Sequence, residues 1–370
     1  MTTPRIPLLV PELPSAEDVL PYLKRIDANR WYTNFGPLND ELEARLLAQC
    51  NAPGSAVVTV SSCTLGLELG LLALGLRAGA RVLIPSFTFV ATATAVLRAG
   101  MRVAVADVDR DTWLLTPEIA EAAVKAGDID CVMPVATFGH GHRIADWDAF
   151  SERTGIPVFI DAAGAFGNQD AGHRTHVVFS MHATKSLGSA EGGFVISADL
   201  GFIERIRKLS NFGIEGASGI VNTAGSNAKL SEYHAAIGLA ALDRWPAHVE
   251  RRRALHLEYI ARFSERCAPA RLQKRPEHGI YTILAACLPI STDARAVAEK
   301  LEQAGIGTRR WYHPLINRHP GFAACTVAGS LTQAESISGQ VLGLPFHTFL
   351  SWDDIAQVCD ALADAIAKRP

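Results

Sequence analysis

No apolar run in the sequence reaches the ~18 residues that a membrane-spanning helix needs. The opening segment, Met1-Thr-Thr-Pro-Arg-Ile-Pro-Leu-Leu-Val-Pro11, has no apolar stretch of signal-peptide length either. The seven cysteines (50, 63, 131, 267, 287, 325 and 359) are scattered and form no Cys-x-x-Cys pair. That argues against a disulfide framework or a zinc ribbon and for reduced thiols. Neither sign of charge dominates: 35 Lys and Arg are interspersed with 38 Asp and Glu, for a formal net charge of −3. The chain therefore carries no electrostatic footprint for nucleic acid or an anionic membrane. Internal repeats and low-complexity tracts are missing as well. His140-Gly-His142 has no third ligand at suitable spacing, so no metal is expected. Together these absences lead to the expectation of a cytoplasmic globular protein.

What is present suits burial. Hydrophobic residues make up 48% of the chain and charged residues 20%, and 370 residues exceed what one typical core holds. The expected division is an N-terminal arm over 1–38, a large domain over 39–250 and a small α+β domain over 251–370. Pro246 is expected to break a helical stretch near the hinge. From 56 to 197, β-runs (56–60, 81–85, 102–107, 131–135, 157–160, 177–181 and 193–197) alternate with helical segments. Runs such as Ala56-Val-Val-Thr-Val60 and Val158-Phe-Ile160 are continuously apolar rather than alternating. This suits strands covered on both faces, hence an α/β fold with a mostly parallel seven-stranded sheet between helices. In such sheets ligands bind beyond the carboxyl ends of the strands. Ser61-Ser62-Cys63-Thr64, Phe87-Thr88-Phe89, Asp161 and Lys185 all fall there.

The stretch with the most chemistry is Val178-Phe-Ser-Met-His-Ala-Thr-Lys185, followed by a small-residue turn and a second apolar run from Phe194. A lysine in a tight polar turn between two buried strands is placed for Schiff-base chemistry rather than for solvation. Asp161 ends another apolar run. A lysine and an acid able to pair with a pyridinium nitrogen are the two protein parts that pyridoxal phosphate (PLP) demands. The hydroxyl residues at 61–64 either cap a helix or offer donors to a phosphate. Phe89 is either plain core or a face for a planar cofactor to stack on. The loop Trp31-Tyr-Thr-Asn-Phe-Gly-Pro37 is either an anchored turn or an aromatic lip over a pocket, with Asn34 and Phe35 as substrate candidates.

Over nearly its whole length the chain resembles the DegT/DnrJ/StrS family of PLP-dependent sugar aminotransferases, which have the aspartate-aminotransferase-like fold (fold type I). Pro85-Ser-Phe-Thr-Phe-Val-Ala-Thr92, Ile160-Asp-Ala-Ala163 and Ser180-x-His182-x-Thr184-Lys185 resemble three of its landmarks in order. The resemblance implies that Phe89 stacks on the cofactor ring, Asp161 pairs with its pyridine nitrogen and Lys185 is the Schiff-base residue. Ser180 and Thr64 would hold the phosphate, with Cys63 contributing backbone only. Gly225-Ser-Asn-Ala-Lys-Leu-Ser-Glu232 resembles a segment that crosses into a neighbouring subunit. It implies a homodimer with shared active sites in which Asn227 reaches the partner's phosphate.

His182-Ala-Thr-Lys185, Asn227-Ala-Lys229 and Thr308-Arg-Arg-Trp-Tyr312 are most similar to the branch that aminates C4 of dTDP-4-keto-6-deoxyglucose. The implied reaction moves an amino group from an amino acid, L-glutamate in the family, to a nucleotide-linked keto sugar. His182, Lys229, Arg310, Tyr312 and His313 are candidates to meet the donor carboxylate or the diphosphate; ordinary surface or interface roles stay open. Three positions depart from the family: Cys63 replaces a common Gly, Ala228 an aromatic found in many members though this branch shares the alanine, and Gly164 the Gln or His beside the cofactor's phenolic oxygen. Gly164 leaves open a non-nucleotide ketone, such as a cyclitol or natural-product intermediate, as acceptor. A PLP sugar dehydratase would carry histidine in place of Lys185. A non-catalytic regulator would not need the Lys185–Asp161 pair.

Overall fold

The computed structural model describes residues 4–367 and, of Ala217, the backbone alone. Seven strands build the central sheet: β1 (Ala56–Val60), β2 (Arg81–Pro85), β3 (Arg102–Ala106), β4 (Cys131–Val132), β5 (Phe159–Asp161), β6 (His176–Ser180) and β7 (Gly193–Ser197). β3, β2 and β4 pair in parallel, as do β5 and β6. Parallel bridges at Val132–Val158 and Val135–Asp161 join the two groups. β7 runs antiparallel between β6 and β1, giving the order β3-β2-β4-β5-β6-β7-β1. A short segment from far along the chain, Thr326–Val327, extends the edge parallel to β3.

The apolar continuity of the strands follows from what covers them. Val58, Val82, Val103, Val178 and Val195 enter one buried cluster with α3 (Cys63–Ala73), α4 (Val90–Arg98) and α7 (Leu200–Ser210). Their chain neighbours Val57, Leu83, Ala104, Val177 and Phe194 point the other way. They enter a second cluster with α1 (Ala16–Asn29), α2 (Pro37–Gln49), α5 (Pro117–Ala126), α6 (Ile144–Thr154) and α8 (Glu232–Asp243). Successive side chains alternate across a strand, so a sheet covered on both faces needs apolar residues at every position. The N-terminus of α2 is fixed by Glu232, whose carboxylate accepts the N–H groups of Leu38 and Asn39, each at 2.9 Å. An acid there satisfies two orphan donors and meets the positive end of the helix dipole.

A third cluster lies beyond. A three-stranded antiparallel sheet (Arg271–Leu272, Leu284–Cys287 and Val341–Leu344) packs with α9 (Trp245–Arg266), α10 (Ala294–Gln303) and α12 (Trp352–Ala367). Pro246 sits in the first turn of α9, where a missing N–H costs nothing. α9 links the cores: Trp245 belongs to the second cluster, Leu255 and Tyr259 to the third. α11 (Thr332–Gln340) returns to the large sheet, with Ala334 and Ile337 in the first cluster. The N-terminal segment is tied to the small sheet's side: Ile6 bridges Ile306, and the N–H of Phe346 donates to the carbonyl of Leu8.

Among the described residues no group of three or more His, Cys, Asp or Glu side chains could hold a metal ion. His142 is instead buried with its Nε2 3.0 Å from the carbonyl of Val135. His176 stacks on Phe202 with its Nδ1 2.7 Å from Ser197 Oγ. Burial pushes both imidazoles down to about 4, against ~6.5 in an unfolded chain. The native protein therefore binds fewer protons than the unfolded one between these values, and stability falls as the pH drops from ~6.5 towards 4. At pH 5 each histidine should cost about 2 kcal/mol relative to pH 7.5. Urea titrations at the two pH values should show a clearly lower midpoint at pH 5, and His176→Phe should reduce the difference. An unchanged midpoint would show that these rings are not held neutral.

Candidate active site

The carboxyl ends of β1, β2, β5 and β6 open on one cavity of about 500 Å³. Asp161, the last residue of β5, is buried at its floor. Its Oδ2 accepts from Thr92 Oγ1 at 2.8 Å and its Oδ1 from the N–H of Ala163 at 3.1 Å. Thr88 Oγ1 lies 3.2 Å from Thr92 Oγ1 and extends the chain of hydroxyls. Burial nevertheless raises the Asp161 pKa above the ordinary carboxylate value, outweighing these donors and the charge of Lys185. The carboxylate thus has hydrogen bonds but too little positive charge nearby.

Lys185 is half-buried on the cavity wall, in a turn built by its neighbours. Its own N–H donates to the carbonyl of His182, Ala183 N–H to Ala190, and Ser189 N–H to Met181. Ala190 and Gly192 have positive φ, 67° and 148°. His182 accepts the Thr184 N–H on Nδ1 at 3.2 Å, and its Nε2 faces Glu191 Oε1 at 3.6 Å.

Opposite, Ser62 caps α3 by accepting the N–H of Leu65, leaving the first-turn N–H groups of Cys63 and Thr64 without helical partners. Ser180 closes this corner with an Oγ that accepts the N–H of His182. The approach is close: a Cβ on Gly193 would stand 2.8 Å from Cys63 N and 2.8 Å from the carbonyl of Phe179. Glycine is required here by the helix end that crowds it. Phe89, directly before α4, is about half exposed and lines the cavity. Open aromatic face, helix N-terminus with hydroxyls, under-compensated buried acid and lysine together suit a planar, cationic, phosphorylated heterocycle. PLP is such a group, and the residues present fit it.

The cavity brings together Cys63, Thr64, Phe89, Asp161 and Gly164. Ser180, His182, Lys185 and Tyr312, also expected at the site, lie on its wall. Other expected residues lie elsewhere. Asn34 and Phe35 form a turn with both φ values positive (63° and 56°), and Arg207 lies over the Phe35 ring. Asn227 Oδ1 and Asn211 Oδ1 each accept from Lys229 Nζ at 2.8 Å, a cluster outside this wall. Arg310 turns away, its Nη2 donating to the carbonyl of Gly339, and His313 Nδ1 lies 3.1 Å from Ser338 Oγ. Arg309, Trp311, Glu191, Leu8 and Leu9 line the cavity without having been singled out from the sequence. Arg309 and Trp311 fall within the Thr308–Tyr312 segment that resembles the family.

This fold and site define a PLP-dependent aminotransferase. The profile of the DegT/DnrJ/EryC1/StrS aminotransferase family matches residues 15–363, and the chain belongs to that family. It is 32% identical to Protein Rv3402c of Mycobacterium tuberculosis (strain ATCC 25618 / H37Rv), over 98% of this chain and 91% of that protein. It is 29% identical to the dTDP-4-amino-4,6-dideoxy-D-glucose transaminase of Shigella dysenteriae, over 96% of this chain and 97% of the relative. The crystal structure of DesI in the presence of its TDP-sugar product superposes with a TM-score of 0.88 at 29% identity, covering 100% of this chain and 94% of DesI.

Proposed function

We propose that this enzyme transfers an amino group from L-glutamate to a nucleotide-linked 4-keto-6-deoxyhexose, working in the cytoplasm as a homodimer with shared active sites. The observation that carries the reading is Lys185 and Asp161 on one cavity, in a chain similar end to end to a transaminase named for a dTDP-4-amino sugar. Bound there, PLP supplies a carbonyl that condenses with primary amines and a ring that accepts electrons. Lys185 is the amine that holds it between turnovers. Displaced by the donor, its Nζ takes the proton from the donor's α-carbon and later delivers one to the sugar carbon that becomes the amine carbon. Asp161 holds a proton on the ring nitrogen, Phe89 fixes the ring plane, and Ser180 with Thr64 and the N-terminus of α3 bind the phosphate.

The dimer has support in what the single chain leaves exposed. Trp31, Tyr32, Phe212, Ile220 and Tyr233 each keep about half their surface open near the Asn227–Lys229 cluster's segment or the 31–37 turn. An apolar surface of that kind suits a second copy. Mixing Lys185→Ala with Asn227→Ala subunits tests sharing directly, since a hybrid dimer regains one intact site. Random mixing of two inactive variants should restore ~25% of wild-type activity, because half the dimers are hybrids with one good site of two. No recovery would place Asn227 outside the partner's site. For the acceptor, the test is product formation from dTDP-4-keto-6-deoxyglucose. Gly164 favours a second reading, a non-nucleotide ketone: a Cβ there would meet nothing nearer than Gly139 N at 3.6 Å, so space remains beside the cofactor. Turnover of a cyclitol ketone in preference to the nucleotide sugar would select it.

A further inference from the structure

Thr137 and Phe138 stand on the cavity wall in the three-residue turn Thr137–Gly139, whose middle residue is strained. Phe138 lies at φ 56° and ψ 26°, a left-handed conformation that is costly for a residue with a Cβ. Such a conformation persists only where the surroundings impose it. Here three successive carbonyls are each taken by a side chain from outside the turn. Gln273 Nε2 donates to Thr137 at 3.2 Å, Arg275 Nη1 to Phe138 at 3.2 Å, and Asn168 Nδ2 to Gly139 at 2.8 Å. Gln273 and Arg275 follow Arg271–Leu272, the edge strand of the small sheet. Two of the three ties therefore cross from the small sheet's side to the large domain.

Arg275 is the unusual member, and it does not itself line the cavity. Its Nη1 also donates to the carbonyl of Ile283 at 3.0 Å, and its Nε lies 3.3 Å from His256 Nε2. The guanidinium covers the Tyr281 ring, with Cζ 3.6 Å from the centroid. His256 can accept at Nε2 because its Nδ1, 2.8 Å from the carbonyl of Glu277, must carry the ring proton. No carboxylate is among these partners, and Nη2 is buried with no partner at all. Burial pulls the Arg275 pKa down to about 10 and, with the charge of Arg275, the His256 pKa to about 4. A buried cation bonded only to neutral groups is costly. What it supplies is a rigid plane with donors in several fixed directions, which no other side chain offers.

The groups that Arg275 holds do reach the site. The Phe138 ring lies 5.4 Å from that of Tyr312, 30° from parallel, and Tyr312 lies 6.3 Å from Phe89. Ile283 stands on the same wall. We infer that Arg275 is a positioning residue for amino transfer: it fixes Phe138 in its strained turn, and through Phe138 it sets Tyr312 against Phe89. The inference rests on the aminotransferase reading above, in which Phe89 fixes the cofactor's ring plane. A misplacement of ~1 Å far from the reacting atoms can cost ~10²-fold in rate. Release of the turn should slow the donor half-reaction about ten- to a hundredfold.

The test measures two properties of PLP-loaded protein, the rate of the half-reaction at saturating L-glutamate and the visible circular dichroism of the bound cofactor. Arg275→Met removes the charge and its donors, and Phe138→Leu removes the ring. Each should slow the reaction at least ~10-fold and alter the dichroism per bound cofactor. The double variant should be at most about twofold slower than the slower single variant, because the two residues act in series. An arginine that serves stability alone would lower the thermal midpoint and leave rate and dichroism at wild-type values, which overturns the inference. Multiplied losses in the double variant, or a wild-type rate in Phe138→Leu, overturn it as well. Should Arg275→Met fail to fold, Arg275→Lys takes its place. One ammonium cannot serve Phe138, Ile283 and His256 together, so a loss of about threefold or more is expected, and a wild-type rate is the overturning result. Hydrogen exchange in the cofactor-free protein reads the pin without the chemistry. The Gly139 and His140 amides, bonded to Ala136 and Thr137 at 3.0 and 3.2 Å, should exchange at least ~10-fold faster in Arg275→Met. Unchanged exchange would show that Arg275 does not hold the turn. If wild type ignores every amino donor, the aminotransferase reading falls, while exchange and dichroism still decide the role of Arg275.

Discussion

Lys185→Ala should abolish amino transfer while leaving the fold intact. The turn that carries Lys185 is held by main-chain hydrogen bonds of His182, Ala183, Ala190 and Ser189, none of which uses Nζ. Removing a half-buried side chain that packs in no core cluster should change stability by no more than about 1 kcal/mol. The chemistry has no such reserve. The proposed mechanism puts two functions on one nitrogen, the covalent hold on the cofactor and the proton transfer at the donor's α-carbon. His182 is on the same wall, but its Nδ1 is occupied by the Thr184 N–H and its Nε2 faces Glu191. Among the described residues no second lysine lines the cavity, so the rate of the glutamate half-reaction should fall at least ~10³-fold, within the range for a positioned acid–base group. Rapid mixing of the PLP-loaded variant with L-glutamate, followed by cofactor absorbance, measures this. A rate within tenfold of wild type would remove Lys185 from the mechanism.

The sequence made the Lys185 and Asp161 positions legible because both depend on local pattern. Asp161 ends one short apolar strand and Lys185 lies a few residues beyond another, and a strand buried on both faces has to expose its next polar residues at its carboxyl end. Phe89 and the Ser62-Cys63-Thr64 helix start are legible for the same reason. What could not be read depends on contacts between distant segments. Leu8 and Leu9 reach the cavity because Ile6 pairs with Ile306 and Leu8 with Phe346, some three hundred residues away. The choice of Arg309 over Arg310 for the cavity wall is made by Gly343, which pins the backbone and leaves room for the Trp311 indole. The edge segment Thr326–Val327 is two residues long, too short to show any periodicity, and exists only as a partner of β3. The resemblance implies Asn227 at the partner's phosphate and Lys229 as a candidate for the donor carboxylate or the diphosphate, yet in the single chain both lie off the cavity wall. In the proposed dimer a second copy would bring them to a site, which no periodicity within one chain can specify.

Asp161→Asn should separate stability from activity in opposite directions. In the cofactor-free protein, burial holds the Asp161 pKa above its ordinary value. An acid whose folded pKa is raised destabilises the fold once the pH exceeds its unfolded pKa, ~3.9, and increasingly so up to the folded value. Asparagine removes that charge and can keep the local bonds: Oδ1 still accepts from Ala163, while Nδ2 donates to Thr92 Oγ1, whose hydroxyl turns to Thr88. The apo variant should therefore melt above apo wild type at pH 7.5, and the gap should narrow as the pH falls towards 4. Activity should move the other way. A neutral amide can no longer stabilise a proton on the ring nitrogen, so turnover should drop ~10²- to 10³-fold, the scale of losing one preorganised electrostatic contact. Melting curves of apo protein and turnover of PLP-loaded protein supply the two readings. Lower stability with lower activity would make Asp161 a structural residue; near-wild-type turnover would remove it from the site. Only a higher apo melting point joined to lost activity has the signature of a buried acid waiting for a cationic ring, a destabilising charge retained because the cofactor requires it.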